Sequence, residues 1–212
     1  MSAAPSQRMD LLEVLAAALL ALAAVGTAWS SYQASRWNGE QAKSFSRANA
    51  ARIESTRASS LADSQTQIDV ATFTQWVDAY ALDENELADF YLRRFRAEFK
   101  PAVHAWIATR PLKNANAPLT PFAMPQYRLA ARADAVRLEA NAEALSAKAR
   151  TNVQRSTNYV LGVVLFAVAL FFAGMSTKLR ARRLQAALLA LGTVFFVGTV
   201  VFLATLPVTI SV

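Results

Sequence analysis

Three stretches of the chain carry no charged residue: Val14 to Ser35, Ser156 to Thr177 and Leu184 to Val212. Each offers the roughly 20 apolar residues that a membrane-crossing helix needs. The first span is expected over residues 11–35. It ends among Trp29, Tyr32 and Trp37, whose amphipathic rings favour the headgroup layer. A cleaved signal peptide, with Gly26-Thr27-Ala28 as its cleavage site, is the competing reading. Asp10 and Glu13 stand where such a leader is basic, and the apolar run exceeds the usual length, so an uncleaved span is favoured. The second span is expected over 156–177, entering near Tyr159. The third lies within 184–212, after a basic hairpin over 178–183.

Residues 36–155, between the first two spans, have a different pattern. From Arg36 to about Ala81 only Gly39 interrupts helix-forming sequence. Large apolar residues recur at Trp37, Phe45, Ile53, Leu61, Ile68 and Trp76. Those steps of seven and eight predict one buried stripe that wanders around a straight helix. Asp83 and Glu86 resemble a capping box, which starts a helix at Glu84 with the face Leu87, Tyr91, Phe95, Phe99, Val103 and Ile107. Pro101 should bend or divide that helix. Residues 109–126 hold Pro111, Pro118, Pro121 and Pro125 and read as a loop. Tyr127 to Arg155 returns to helix and runs into the second span. Leu138 and Leu145 lie a heptad apart there, and Ala142 and Ala149 are small enough for close packing. At 1.5 Å per residue the three helical pieces measure about 69, 37 and 44 Å. Descent nearly matches ascent, so the expected form is a two-helix neck with a three-helix head. The fold class is all-α: three transmembrane helices with a long extramembrane helical hairpin inserted between the first and second.

Composition agrees. Hydrophobic residues make up 54% of the 212 and charged residues 17%, and the 44 alanines favour helix over sheet. Charge then sets an orientation. Lys178, Arg180, Arg182 and Arg183 crowd a short loop between two spans, the kind that stays in the cytoplasm. Residues 36–155 then face outward and residues 1–10, with Arg8, form a cytoplasmic tail. Arg36, Lys43, Arg47, Lys148, Arg150 and Arg155 are basic on the outer side, but long translocated domains are largely exempt from this rule. The 17 bases of the central region are interspersed with 13 acids, which is a solvated surface and no nucleic-acid stripe.

Candidate chemistry is sparse. With no cysteine, disulfides, thiolate metal sites and thiol catalysis are excluded. His104 is the one histidine, without a second ligand at helical spacing, and most nucleophile and base pairings are therefore unavailable. Asp83, Glu84, Glu86 and Asp89 are better read as first-turn acids complementing a helix dipole than as a cation site. No glycine-rich phosphate loop or dinucleotide fingerprint is present, so no catalytic, cofactor or metal residue is assigned. The uncharged spans carry no ion relay. Thr193, Thr199 and Thr205 could line an oligomeric pore, but with Gly192, Gly198 and Ala204 they read better as helix-contact positions.

The most distinctive string is RWNGEQ, Arg36 to Gln41, where the chain leaves the membrane. Arg36 and Glu40 can pair across one helical turn, leaving Trp37 and Gln41 for an interface. Arg36, Trp37, Glu40 and Gln41 are thus the candidate partner surface. The strings TAWSSYQASRWNGEQ, IDVATFTQWVDAY and AWIATRPLKNANAPLTPFAMPQY, with the basic hairpin, resemble a family of small bacterial inner-membrane proteins of unknown function. That resemblance implies this helical layout and a bacterial inner-membrane location. It implies no activity or cofactor. The expected function is a non-enzymatic interaction or scaffold role, with the bilayer and a second copy or another envelope protein as partners. The alternative is an accessory of an oligomeric channel or transporter.

Overall fold

The structure, a computed structural model, describes residues 11–209; the expected tail with Arg8, and Val212, lie outside the described residues. Among those described, the chain is helical throughout: α1 (Leu11–Ala81), α2 (Asn85–Arg94), α3 (Lys100–Ala108), a 3-10 turn (Pro121–Ala123), α4 (Ala130–Ser176) and α5 (Arg182–Ala204). Three of these helices, α1, α4 and α5, are long and apolar enough to cross a membrane. The chain divides into two compact units, one of residues 11–46 with 145–209, the other of residues 47–144.

Local stops follow from local chemistry. Asp83 does not cap α2, whose first turn has no side-chain cap. It takes a left-handed conformation, φ 60°, and closes α1. The Glu84 amide donates to the Ala79 carbonyl at 2.9 Å and the Asp83 amide to Tyr80 at 3.3 Å, the two bonds of a Schellman stop. The capping-box expectation is corrected accordingly, because a short polar side chain tolerates that backbone region. Pro101 divides the expected 84–108 helix, since α3 begins at Lys100 with proline in its first turn, where no amide is needed. The Pro-rich loop contains one regular turn, Pro121–Ala123, and α4 starts at Ala130 rather than Tyr127.

In the first unit, α1 and α4 run antiparallel. Gly26 faces the Phe166 ring, the Ser156 hydroxyl donates to the Ala34 carbonyl at 2.9 Å, and the Arg155 guanidinium lies 4.5 Å over the Trp37 ring. The seam alternates small and aromatic side chains: Ala16, Ala23, Ser30, Trp37 and Ser44 are buried on α1 at steps of seven, and Ala149, Asn152, Tyr159, Phe166 and Ala173 on α4. A spacing of 3.5 residues per turn keeps one narrow stripe facing a partner helix. A Cβ at Gly26 would lie 2.6 Å from the Phe166 ring, so a side chain there would force that ring to move. Helix α5 packs back on α4 through Gly192, whose missing side chain leaves room for the Ala169 carbonyl, and through Phe166 against Phe196. Gly198 has nothing close to it and Ala204 is exposed, so of the three small positions expected to make contact, Gly192 does so.

The second unit repeats the antiparallel pairing. Ser55 donates to the Ala135 carbonyl at 2.9 Å and Arg52 meets Glu139 at 3.6 Å. Its seam on α1 is Ala48, Ala51, Ser55, Ala62 and Asp69, leading into an aromatic core of Phe73, Trp76, Phe95, Phe99 and Val103. The expected large apolar stripe is corrected here: Phe45, Ile53, Leu61 and Ile68 are exposed, with Trp37 and Trp76 alone buried. Steps of eight drift off a 3.5-residue seam, and the positions that stay on it are mostly alanine and serine, with Trp37, Asp69 and Trp76. On the aromatic face Leu87 and Ile107 are likewise exposed, while Phe95, Phe99 and Val103 are fully enclosed.

Ala142 and Ala149 are both completely buried. Ala142→Leu or Ala149→Leu should each overpack its seam and cost about 1–3 kcal/mol, whereas Ala147→Leu, on the exposed side of α4, should change little. Thermal unfolding of the three variants in detergent checks this. Equal midpoints for all three would mean the seams yield to a leucine.

Candidate functional site

Arg36, Trp37, Glu40 and Gln41, the expected partner surface, belong to the first unit. Trp37 is 7% exposed. It packs with Ala34, Tyr159, Leu203 and Leu206, and its indole N–H donates to the Pro207 carbonyl at 3.2 Å. The Tyr159 hydroxyl donates to the same carbonyl, also at 3.2 Å. One helical turn earlier, the Gln33 amide grips Thr209, accepting from its backbone N–H at 3.2 Å and its hydroxyl at 3.1 Å. These contacts bind the chain leaving α5 to α1 and α4. Trp37 thus packs inside the first unit, against α4 and the chain leaving α5.

Glu40 pairs with Lys43 at 2.8 Å in place of the expected partner Arg36. The Lys43 hydrogen bond and charge hold the Glu40 carboxyl below its ordinary value, and Arg36 and Lys148 add weaker attraction in the same direction. Gln41 is half-buried. Lys178, Arg180, Arg182 and Arg183 are all exposed at the α4–α5 connection. The connection is shorter than expected, since Arg182 and Arg183 already form the first turn of α5.

Thr193, Thr199 and Thr205 each donate their hydroxyl to a carbonyl of their own helix, at 2.8, 2.7 and 2.7 Å. Their polar groups are satisfied inside α5 and its last turn. Among the described residues no group of three or more His, Cys, Asp or Glu side chains could hold a metal ion.

Two features of the second unit were not expected. The first is a buried ion pair. Asp69, fully enclosed on α1, receives the Arg96 guanidinium at 2.8 Å and the Tyr127 hydroxyl at 3.2 Å. Arg96 also holds Glu98 at 2.6 Å, and Glu98 accepts the Ala130 backbone N–H at 3.0 Å. This network links α1, the α2–α3 connection and the start of α4. Burial pushes the Asp69 carboxyl above its ordinary value, with the Arg96 charge and the Tyr127 hydrogen bond opposing. Burial likewise raises the Tyr127 phenol. No local pattern marks the pair, because its members lie 27 residues apart.

The second feature is a half-open groove of about 580 Å³. Trp76 and Tyr80 of α1, stacked with centroids 5.5 Å apart, form one wall. Ala88, Asp89 and Leu92 of α2 form another. Trp106 and Ile107 of α3 and the turn Arg110-Pro111-Leu112-Lys113 complete it. The Trp106 indole N–H donates to the Pro118 carbonyl at 2.7 Å, which pins the loop onto α3. Leu112, 82% exposed, stands at the lip. In the sequence, the signal for this site was the basic pair around Pro111-Leu112, directly after the tryptophan of α3.

Comparison with protein-family models, with curated proteins and with solved structures gives no match for this chain.

Proposed function

We propose that this chain is a non-enzymatic binding protein of the bacterial inner membrane, held by three spans, whose residues 47–144 lie outside the cytoplasm and bind an envelope component. The resemblance of its strings to small bacterial inner-membrane proteins supports the location, and the basic connection over 178–183 supports the orientation. The observation that carries the binding role is the groove. Apolar, aromatic-walled concavities with a few polar groups at the rim are the usual form of ligand sites. The alternative of a channel accessory lacks a corresponding feature, since the α5 threonines spend their hydroxyls on their own helix.

The test is a photo-crosslinking residue at Leu112 in intact membranes. It should yield a defined adduct that is not formed from Ile53, an exposed apolar position of the same unit away from the groove. Identical adduct patterns from the two positions would remove the groove as the binding face.

A further inference from the structure

The groove's walls and its mouth have opposite characters, and the mouth carries a net charge. Arg110 and Lys113 form no ion pair or side-chain hydrogen bond among the described residues. The one acid lining the groove, Asp89, is engaged by Arg93 at 3.9 Å on its own helix. Two cations face that one acid, so the formal charge of the lining is positive. Beneath these charges lie the stacked rings of Trp76 and Tyr80, with Trp106 and the apolar side chains of Leu92 and Ile107.

The cationic turn is also held in place. Arg110 adopts φ 51°, a left-handed conformation uncommon for a residue with a long side chain. It is fixed by its amide to the Ile107 carbonyl at 3.0 Å and by the Lys113 and Asn114 amides to its own carbonyl at 2.8 and 3.0 Å. Both cations thus project from a preformed turn.

We infer that the groove takes an anionic amphiphile, a flat apolar body lying on Trp76, Tyr80 and Trp106 with one carboxylate-like group meeting Arg110 and Lys113. This rests on the reading of the groove as the binding face. A volume of about 580 Å³ suits one small molecule, within the roughly 300–1,000 Å³ of ligand pockets. A protein partner needs a far broader surface, about 800 Å² on each side. A neutral apolar ligand would cover two cations without pairing them, which costs hydration and returns nothing. A cationic ligand would be repelled. An anionic head instead gains charge-assisted hydrogen bonds, about twice as strong as neutral ones.

The experiment uses the full chain in nanodiscs of zwitterionic lipid, with empty nanodiscs as background. Binding of 2-naphthoate and of its neutral isostere 2-naphthalenemethanol is followed by saturation-transfer NMR and titration. Naphthoate should bind about tenfold more tightly than the alcohol. The double substitution Arg110→Gln with Lys113→Gln, at two exposed positions, should remove that preference by weakening naphthoate about tenfold, with the alcohol bound no more weakly than by the parent. Equal binding of both probes to the parent, or an unchanged preference in the double variant, would overturn the anionic assignment while leaving the groove as a binding face. Binding of neither probe above empty discs would overturn both.

Discussion

Replacing Arg96 by Met should destabilise the 47–144 unit by about 3 kcal/mol at neutral pH, the lower end of the cost of stranding a buried charge. Asp69 is 0% exposed and its second carboxylate oxygen, Oδ1, already has no hydrogen-bond partner. Without Arg96 the carboxylate keeps only the Tyr127 hydroxyl. Arg96 itself is 23% exposed, so some water can enter in its place and temper the loss. The effect should depend on pH in a defined direction. An acid held above its ordinary value binds its proton more readily folded than unfolded. The stability it governs therefore falls as pH rises from the unfolded value of 3.8 through the raised folded value. Removing Arg96 raises the folded value further. The variant should accordingly be closest to the parent in acid and furthest from it at neutral pH. Hydrogen exchange of the α3 amides in nanodiscs reads this out, with opening about a hundredfold more frequent at neutral pH. A deficit of the same size in acid would mean the loss comes from packing rather than from the charge.

Phe99→Ala should cost about 3–5 kcal/mol, the range for truncating an enclosed aromatic side chain. Phe99 is completely buried where α3 begins. It stacks on Phe122 at 5.0 Å and meets Phe95, Phe73 and Tyr127 edge-on at 5.1, 6.2 and 5.7 Å. Rings from α1, the α2–α3 connection, the 3-10 turn and the approach to α4 thus share one contact. No neighbour can fill the void without abandoning another partner. Phe90, 41% exposed on α2, provides the comparison. Phe90→Ala should lose well under half as much, and equal losses in equilibrium unfolding would show that the core is not organised about Phe99.

The sequence showed the spans and the breaks because these are local signals. Uncharged runs mark α1, α4 and α5, Pro101 marks the start of α3, and four prolines mark the loop after it. The seams were misplaced for a physical reason. Hydrophobic pattern gives weight to large side chains, so Phe45, Ile53, Leu61 and Ile68 drew attention, while helices that approach closely bury alanine and serine instead. The acids at 83 and 86 suggested a cap because acids favour helix starts, but Asp83 is also small enough to close the preceding helix. Trp37 was read as an interfacial ring and as part of a partner surface, because its place at the end of an apolar span was the only local signal. The carbonyl that captures its indole belongs to Pro207, 170 positions away. Long-range pairings of that kind, including Asp69 with Arg96, leave no periodic trace. The groove is a mixed case: Trp76 was noticed as a residue of the buried stripe, Trp106 was not singled out, and the Arg110 to Lys113 turn that completes it was read only as loop.

The proposed role requires residues 47–144 to lie outside the cytoplasm, and one measurement addresses that directly. A reporter enzyme that is active only after export, inserted after the exposed Asn116 of the full chain, should be active, and one that works only in the cytoplasm should be silent at the same position. The reverse pattern would put the groove on the cytoplasmic side and contradict the account.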